Sequence, residues 1–230
     1  MAFPRDATVI VAHGAWADGS SWNEVILPLE RRGLEVIAAP LPLTSLRDDA
    51  AALKRVIGRT VGPLVLAGHA YAGAVIATAD DARVKALVYI AALAPDEGET
   101  VAQVFYRDEP HPQAPRLAPD RDGFIWMPEE GFANAFAHHA TPEQIAISRA
   151  VQRPLAAACI QEAAPVPAWR SKPSWYLIAE EDRMINPATQ AFMAARMKAR
   201  VRTHKVDHMP LLTAPSKVVD IIIEAAEASL

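Results

Sequence analysis

A single cysteine, Cys159, among 230 residues leaves no internal disulfide to make, so the fold must be closed by its hydrophobic core, as suits a reducing compartment. An excess of positive charge is missing too. Lysine and arginine number 23 against 27 aspartates and glutamates, a formal net charge of -4, which removes the electrostatic footprint expected of a protein that binds nucleic acid or an anionic membrane surface. No apolar run approaches the roughly 20 residues that span a bilayer. Open phosphate-cradling loops are lacking: Gly68 to Gly73 holds a histidine and a tyrosine where such loops are bare, and no Lys-Ser/Thr pair follows, so no nucleotide cofactor is expected. Only Met1 to Asp6 precede the first apolar run, too few for a signal peptide, and the expected location is cytoplasmic. Repeats and low-complexity tracts are absent.

What remains is an ordinary globular composition, 51% hydrophobic and 22% charged, at a length that suits one α/β domain over residues 1–230. Thr8 to Ala12 is apolar and β-branched without polar alternation, the pattern of a parallel strand covered on both faces. Leu34 to Ala38, Leu64 to Ala67, Val84 to Ala91, Ser174 to Ala179 and Val201 to Val206 repeat that character. Between them, Ser21 to Arg32, Leu46 to Ile57, Ala74 to Ala79, Pro187 to Ala199 and Ser216 to Ala228 carry helical spacing. In Leu46 to Ile57 the acids Asp48 and Asp49 come early and the bases Lys54 and Arg55 late, matching the helix dipole. Regular alternation predicts a mostly parallel sheet of about six strands with helices on both faces. Ten of the 19 prolines fall between residues 95 and 170, which breaks the alternation there and predicts an inserted helical lid, with helices at Glu129 to His139 and Thr141 to Ala163.

Four stretches carry chemistry, each placed directly after a strand. His13-Gly14-Ala15-Trp16 follows the first, where a glycine lets the backbone approach a ligand and the next amides can face a developing negative oxygen. Gly68-His69-Ala70-Tyr71-Ala72-Gly73 is a tight strand-to-helix turn built of small residues. Glu180-Glu181-Asp182 ends the fifth strand, with Asp182 placed by the Ile185-Asn186-Pro187 that follows, and Asp207-His208 comes after the sixth. A carboxylate at one strand end can orient a histidine at the next.

These residues together resemble the α/β-hydrolase superfamily, and within it the small enzymes that include plant methyl-ester esterases, hydroxynitrile lyases and their bacterial esterase-like relatives. The resemblance rests on His13-Gly14-Ala15-Trp16 with Gly19-Ser20-Ser21-Trp22, on Gly68 to Gly73, on Asp182-Arg183-Met184-Ile185 and on Asp207-His208-Met209-Pro210, and spans nearly the whole chain. It implies an α/β-hydrolase fold and a Ser-His-Asp carboxylic ester or lactone hydrolase that needs no cofactor. By that likeness Ala70 stands at the nucleophile of the Gly-x-Ser-x-Gly pattern, Asp182 at the acid, His208 at the base, and the amides of Ala15 and Tyr71 form the oxyanion hole.

Ala70 is the departure, because a methyl group can neither attack a carbonyl nor release a proton. Three readings follow: a Ser→Ala form of an esterase, an enzyme that uses the His208–Asp182 pair as a base without covalent catalysis, and a ligand-binding protein on a hydrolase frame. The first is the expectation here. Trp16, Phe124, Trp126, Phe136 and Met184 are the residues expected to touch substrate, a small apolar or aromatic ester or lactone. His138 and His139 would diverge by about 100° on a helix, with no further ligand at metal-binding spacing in the sequence, so no metal is expected.

Overall fold

The computed structural model describes residues 3–230. Its strands are β1 (Thr8–Ala12), β2 (Glu35–Ala39), β3 (Leu64–His69), β4 (Val84–Ile90), β5 (Phe124–Ile125), β6 (Leu155–Ala156), β7 (Ser174–Ala179) and β8 (Arg200–His204). Six of them pair in the order β2-β1-β3-β4-β7-β8, every pairing parallel. Uninterrupted apolar runs become strands here because both sheet faces are covered. Along β1, Val9 and Val11 enter one core layer and Ile10 and Ala12 the other, following the two-residue alternation of a pleated strand.

On one face lie helices Asn23–Glu30 and Pro215–Ser229, packed through Val25, Leu29, Val218 and Ile222. On the other lie Leu46–Ile57, Ala72–Ile76 and Pro187–Arg196, with Leu53, Val75 and Met193 against the sheet. Ser45 caps the first of these by accepting from the Asp48 amide.

Residues between β4 and β7 form a cap over the carboxyl ends of the strands, and here the structure departs from the expected long helices. Thr141 opens helix Pro142–Ala150 with a reciprocal capping box to Gln144, but the helix does not run on to Ala163. Pro154 stops it, since proline offers no N–H and disfavours helical backbone before it. Leu155–Ala156 then extends and pairs antiparallel with Phe124–Ile125, and only one turn, Ala158–Gln161, follows. The expected helix Glu129 to His139 is one turn, Glu129–Gly131, running into a wide π-type turn, Phe132–Phe136, and ending at Ala137. Helix Val101–Phe105 was not anticipated, although its capping box, Thr100 with Gln103, is in the sequence.

Candidate active site at the carboxyl ends of the strands

The turn after β3 is held in an unfavourable conformation. Ala70 has φ of +50°, the left-handed region that costs a residue with a Cβ about 1–2 kcal/mol. Its neighbours enforce it: the Ala70 amide donates to Ile90 O at 3.2 Å and its carbonyl accepts from Leu93 N at 2.9 Å. Gly73 is required for the close approach, because a Cβ there would lie 2.8 Å from Ala92 Cβ and drive into the Leu93 carbonyl. On the other side Gly14 passes so close that a Cβ would lie 2.9 Å from Ala70 Cβ. The strained turn thus presents the Ala70 side chain to a cavity.

That cavity, of about 150 Å³, is lined by Ala15, Trp16, Ala70, Tyr71 and His208 from the sheet side, by Met184 and Ile185 after β7, and by Val101, Phe105, Tyr106, Leu117, Ile125, Leu155 and Ile160 from the cap. Most of its wall is apolar. Among the described residues neither the Ala15 nor the Tyr71 amide donates a hydrogen bond within the protein, so both N–H groups are free to receive a ligand oxygen.

His208 is nearly fully buried and its Nδ1 lies 2.8 Å from Asp182 Oδ2. Asp182 also accepts from the amides of Met184 (2.7 Å) and Ile185 (2.9 Å) and from Gln190 Nε2 (2.8 Å). With every partner a donor, the carboxylate fixes the His208 proton on Nδ1 and leaves the Nε2 lone pair for other work. Gln190 is itself locked, accepting from Ala179 N at 3.0 Å and donating to Ile185 O at 2.9 Å.

Two further histidines lie beneath the site, neither singled out by the sequence for its own chemistry. His69 Nε2 donates to the His208 carbonyl at 2.7 Å, which fixes its tautomer, and the two rings stand 4.9 Å apart. Burial, and then the charge His208 can carry, push His69 down to about 3, so it stays neutral beside the pair. His13 accepts from Leu41 N at 3.2 Å on Nε2 and donates from Nδ1 to Gly14 O at 3.0 Å; burial lowers it as well. A buried carboxylate was also missed. Asp49 accepts from Tyr71 Oη at 2.7 Å and from Leu43 N at 2.8 Å, with Cys159 Sγ at 3.7 Å from the same oxygen as Tyr71. Burial raises Asp49, raises Tyr71 and pushes the Cys159 thiol up to about 12. Asp207, also fully buried, accepts from Met209 N (3.1 Å), Thr213 Oγ1 (2.6 Å) and His139 N (2.9 Å), tying the His208 loop to the cap.

Of the aromatics expected at the substrate, Trp16 lines the cavity and donates its indole N–H to Ile125 O at 2.9 Å. Phe136 is buried with its ring 5.4 Å from that of His208, yet it faces a neighbouring depression and not the cavity. Phe124 and Trp126 are both displaced from it. They flank Ile125 on β5, and strand alternation turns Ile125 inward and its neighbours away. Trp126 is 50% exposed, its indole directed at Asp120. Phe105, Tyr106 and Leu155 line the cavity where Phe124 and Trp126 were expected.

A sequence model described as "Alpha/beta hydrolase family" matches residues 9–221. No curated protein sequence matches the chain significantly. Among solved structures, polyneuridine aldehyde esterase superimposes with a TM-score of 0.83 at 17% identity, covering 95% of this chain and 98% of that one. A pyrethroid hydrolase from Sphingobium faniae does so with 0.83 at 21%, covering 96% and 98%. An Arabidopsis methylesterase gives 0.79 at 14%, covering 96% and 99%. At such identities the likeness speaks to the fold.

Proposed function

The chain belongs to the alpha/beta hydrolase family, and from that premise we propose that it is a carboxylic ester or lactone hydrolase whose nucleophile position is occupied by Ala70, leaving a site that binds its substrate without cleaving it. The observation that carries this reading is the left-handed backbone at Ala70, which aims one side chain into the cavity beside His208 and the two free amides. Relatives with the same fold include proteins named as esterases and a pyrethroid hydrolase. The wall of this cavity suits an ester with an apolar or aromatic acyl or alcohol part.

With a serine hydroxyl at position 70 the chemistry closes. The hydroxyl oxygen attacks the carbonyl carbon while His208 Nε2 takes its proton, Asp182 stabilises the imidazolium, and the Ala15 and Tyr71 amides receive the oxyanion. His208 returns the proton to the leaving alcohol, and water releases the acyl group by the same route. With alanine, the carbonyl oxygen still finds the two amides and no bond forms.

Ala70→Ser tests this directly. Hydrolysis of short aryl esters is expected to rise by about 10³-fold or more over the unsubstituted chain, with a fluorophosphonate label appearing on the introduced hydroxyl. No gain in cleavage and no label would sink the reading. The intact His208–Asp182 pair supports a second one, in which Nε2 acts as a base on an acidic, enolisable substrate. Turnover by the unsubstituted chain that disappears in His208→Ala would favour it. Ligand affinity without turnover, even in Ala70→Ser, would instead indicate a binding protein.

A further inference from the structure

Outside the cavity, the cap and the β7 loop bring together three metal-ligating side chains that lie far apart in sequence. His138 and His139 follow the wide turn that carries Phe136, and the backbone leaves helical geometry at Ala137 (φ -140°, ψ 56°). The two rings therefore do not diverge as they would on a helix. Their centroids are 4.4 Å apart, and Glu181, next to Asp182, reaches them. One ligand atom from each of the three lies within 4.8 Å of the others, with His139 Nε2 at 3.1 Å from Glu181 Oε2.

The backbone under these side chains is anchored. His139 N donates to the buried Asp207, Glu181 N donates to Val206 O at 3.1 Å, and Arg183 Nη1 donates to Asn134 O at 2.8 Å, linking the same two segments. His138 Nδ1 is buried with no hydrogen-bond partner.

We propose that His138, His139 and Glu181 bind one divalent cation of the zinc class, which bridges the cap to the loop that carries Asp182. Two imidazoles, one carboxylate and a water complete a tetrahedron. Ligand bonds of about 2.1 Å place donors about 3.4 Å apart, so the His139–Glu181 pair, at 3.1 Å, has the spacing already and His138, on a partly exposed chain, has at most about 1.4 Å to close. A set dominated by imidazole selects zinc, copper or nickel over the oxygen-seeking magnesium and calcium. The bridge would restrain the segment that places Phe136 against His208, and it stands independently of the ester reading.

The test is calorimetric titration of zinc chloride into the full, untagged, chelator-stripped chain, alongside His139→Ala and Glu181→Gln, with circular dichroism to establish that both variants fold. One equivalent is expected to bind, with affinity reduced at least about tenfold in each variant. The thermal midpoint is expected to rise with zinc in the parent chain only. Cobalt(II) should give the intense visible bands of a tetrahedral site. Absence of binding, affinity in either variant equal to that of the parent chain, an octahedral cobalt spectrum, or magnesium binding as tightly as zinc would each overturn the proposal.

Discussion

The two walls of the cavity are made in different ways. On the sheet side each group is fixed several times over: Ala70 by Ile90 and Leu93, Asp182 by four donors, His208 by both Asp182 and His69. The cap side is assembled from a five-residue helix, two strands of two residues and a four-residue helix. Hydrogen bonds join it to the rest, such as Ala156 N to Leu43 O at 2.9 Å and the Trp16 indole Nε1 to Ile125 O. Chemistry that depends on tenths of an ångström calls for the first kind of wall. A surface that only has to exclude water and fit an apolar group can be the second.

If that division holds, substitutions on the sheet side should abolish or destabilise, and those on the cap should tune. The largest effect is expected from His208→Ala placed in the Ala70→Ser chain, where ester cleavage should fall by roughly 10⁴-fold or more with little change in the melting temperature. Asp49→Ala comes next. It strands the Tyr71 hydroxyl and the Leu43 amide in the core, and chemical denaturation should show a loss of about 2–4 kcal/mol.

Acid should reach the sheet side through His69. Its folded value of about 3 lies below the ordinary 6.5, so between those pH values the unfolded chain takes up a proton that the native protein refuses. Stability should therefore fall as pH falls through this window, with a slope of up to about 1.4 kcal/mol per pH unit from this group. His13, lowered in the same direction, adds to it. Denaturation midpoints for the parent and His69→Gln, compared from pH 7 to pH 4, should converge towards the acid end. On the cap, Phe105→Ala in the Ala70→Ser chain should raise KM by about tenfold for an aromatic ester and leave kcat nearly unchanged. Trp126→Ala should move neither KM nor stability beyond about 0.5 kcal/mol, because its ring faces solvent.

The same division governs what could be read in advance. Buried parallel strands announce themselves as unbroken apolar runs, and each candidate at a strand end, from Ala15 to His208, came to the same edge of the sheet because parallel strands all finish there. In the cap, the helical spacing read through Thr141 to Ala163 came from an alanine-rich composition that suits several conformations, and Pro154 with the pairing of Leu155 to Ile125 decided the matter. Trp126 stands between Gly123 and Pro128, which leaves its local conformation open. Its orientation was set by which β5 residue the cavity accepted, a tertiary choice with no local signature. Asp49 was legible only as a dipole partner of its helix, since the hydroxyl that claims it belongs to Tyr71, 22 residues away.

One consequence lies in the single hydrogen bond from His69 to the carbonyl of His208, which joins positions 139 residues apart. Through it the end of β3, the His208 loop and, by way of Asp182, the β7 loop form one cooperative unit: none of them can swing open without breaking the contacts of the others. Fluctuations of the sheet-side wall are thus bound to the opening of the sheet itself, and the cap joins that unit where His139 N meets Asp207 and Arg183 meets Asn134 O.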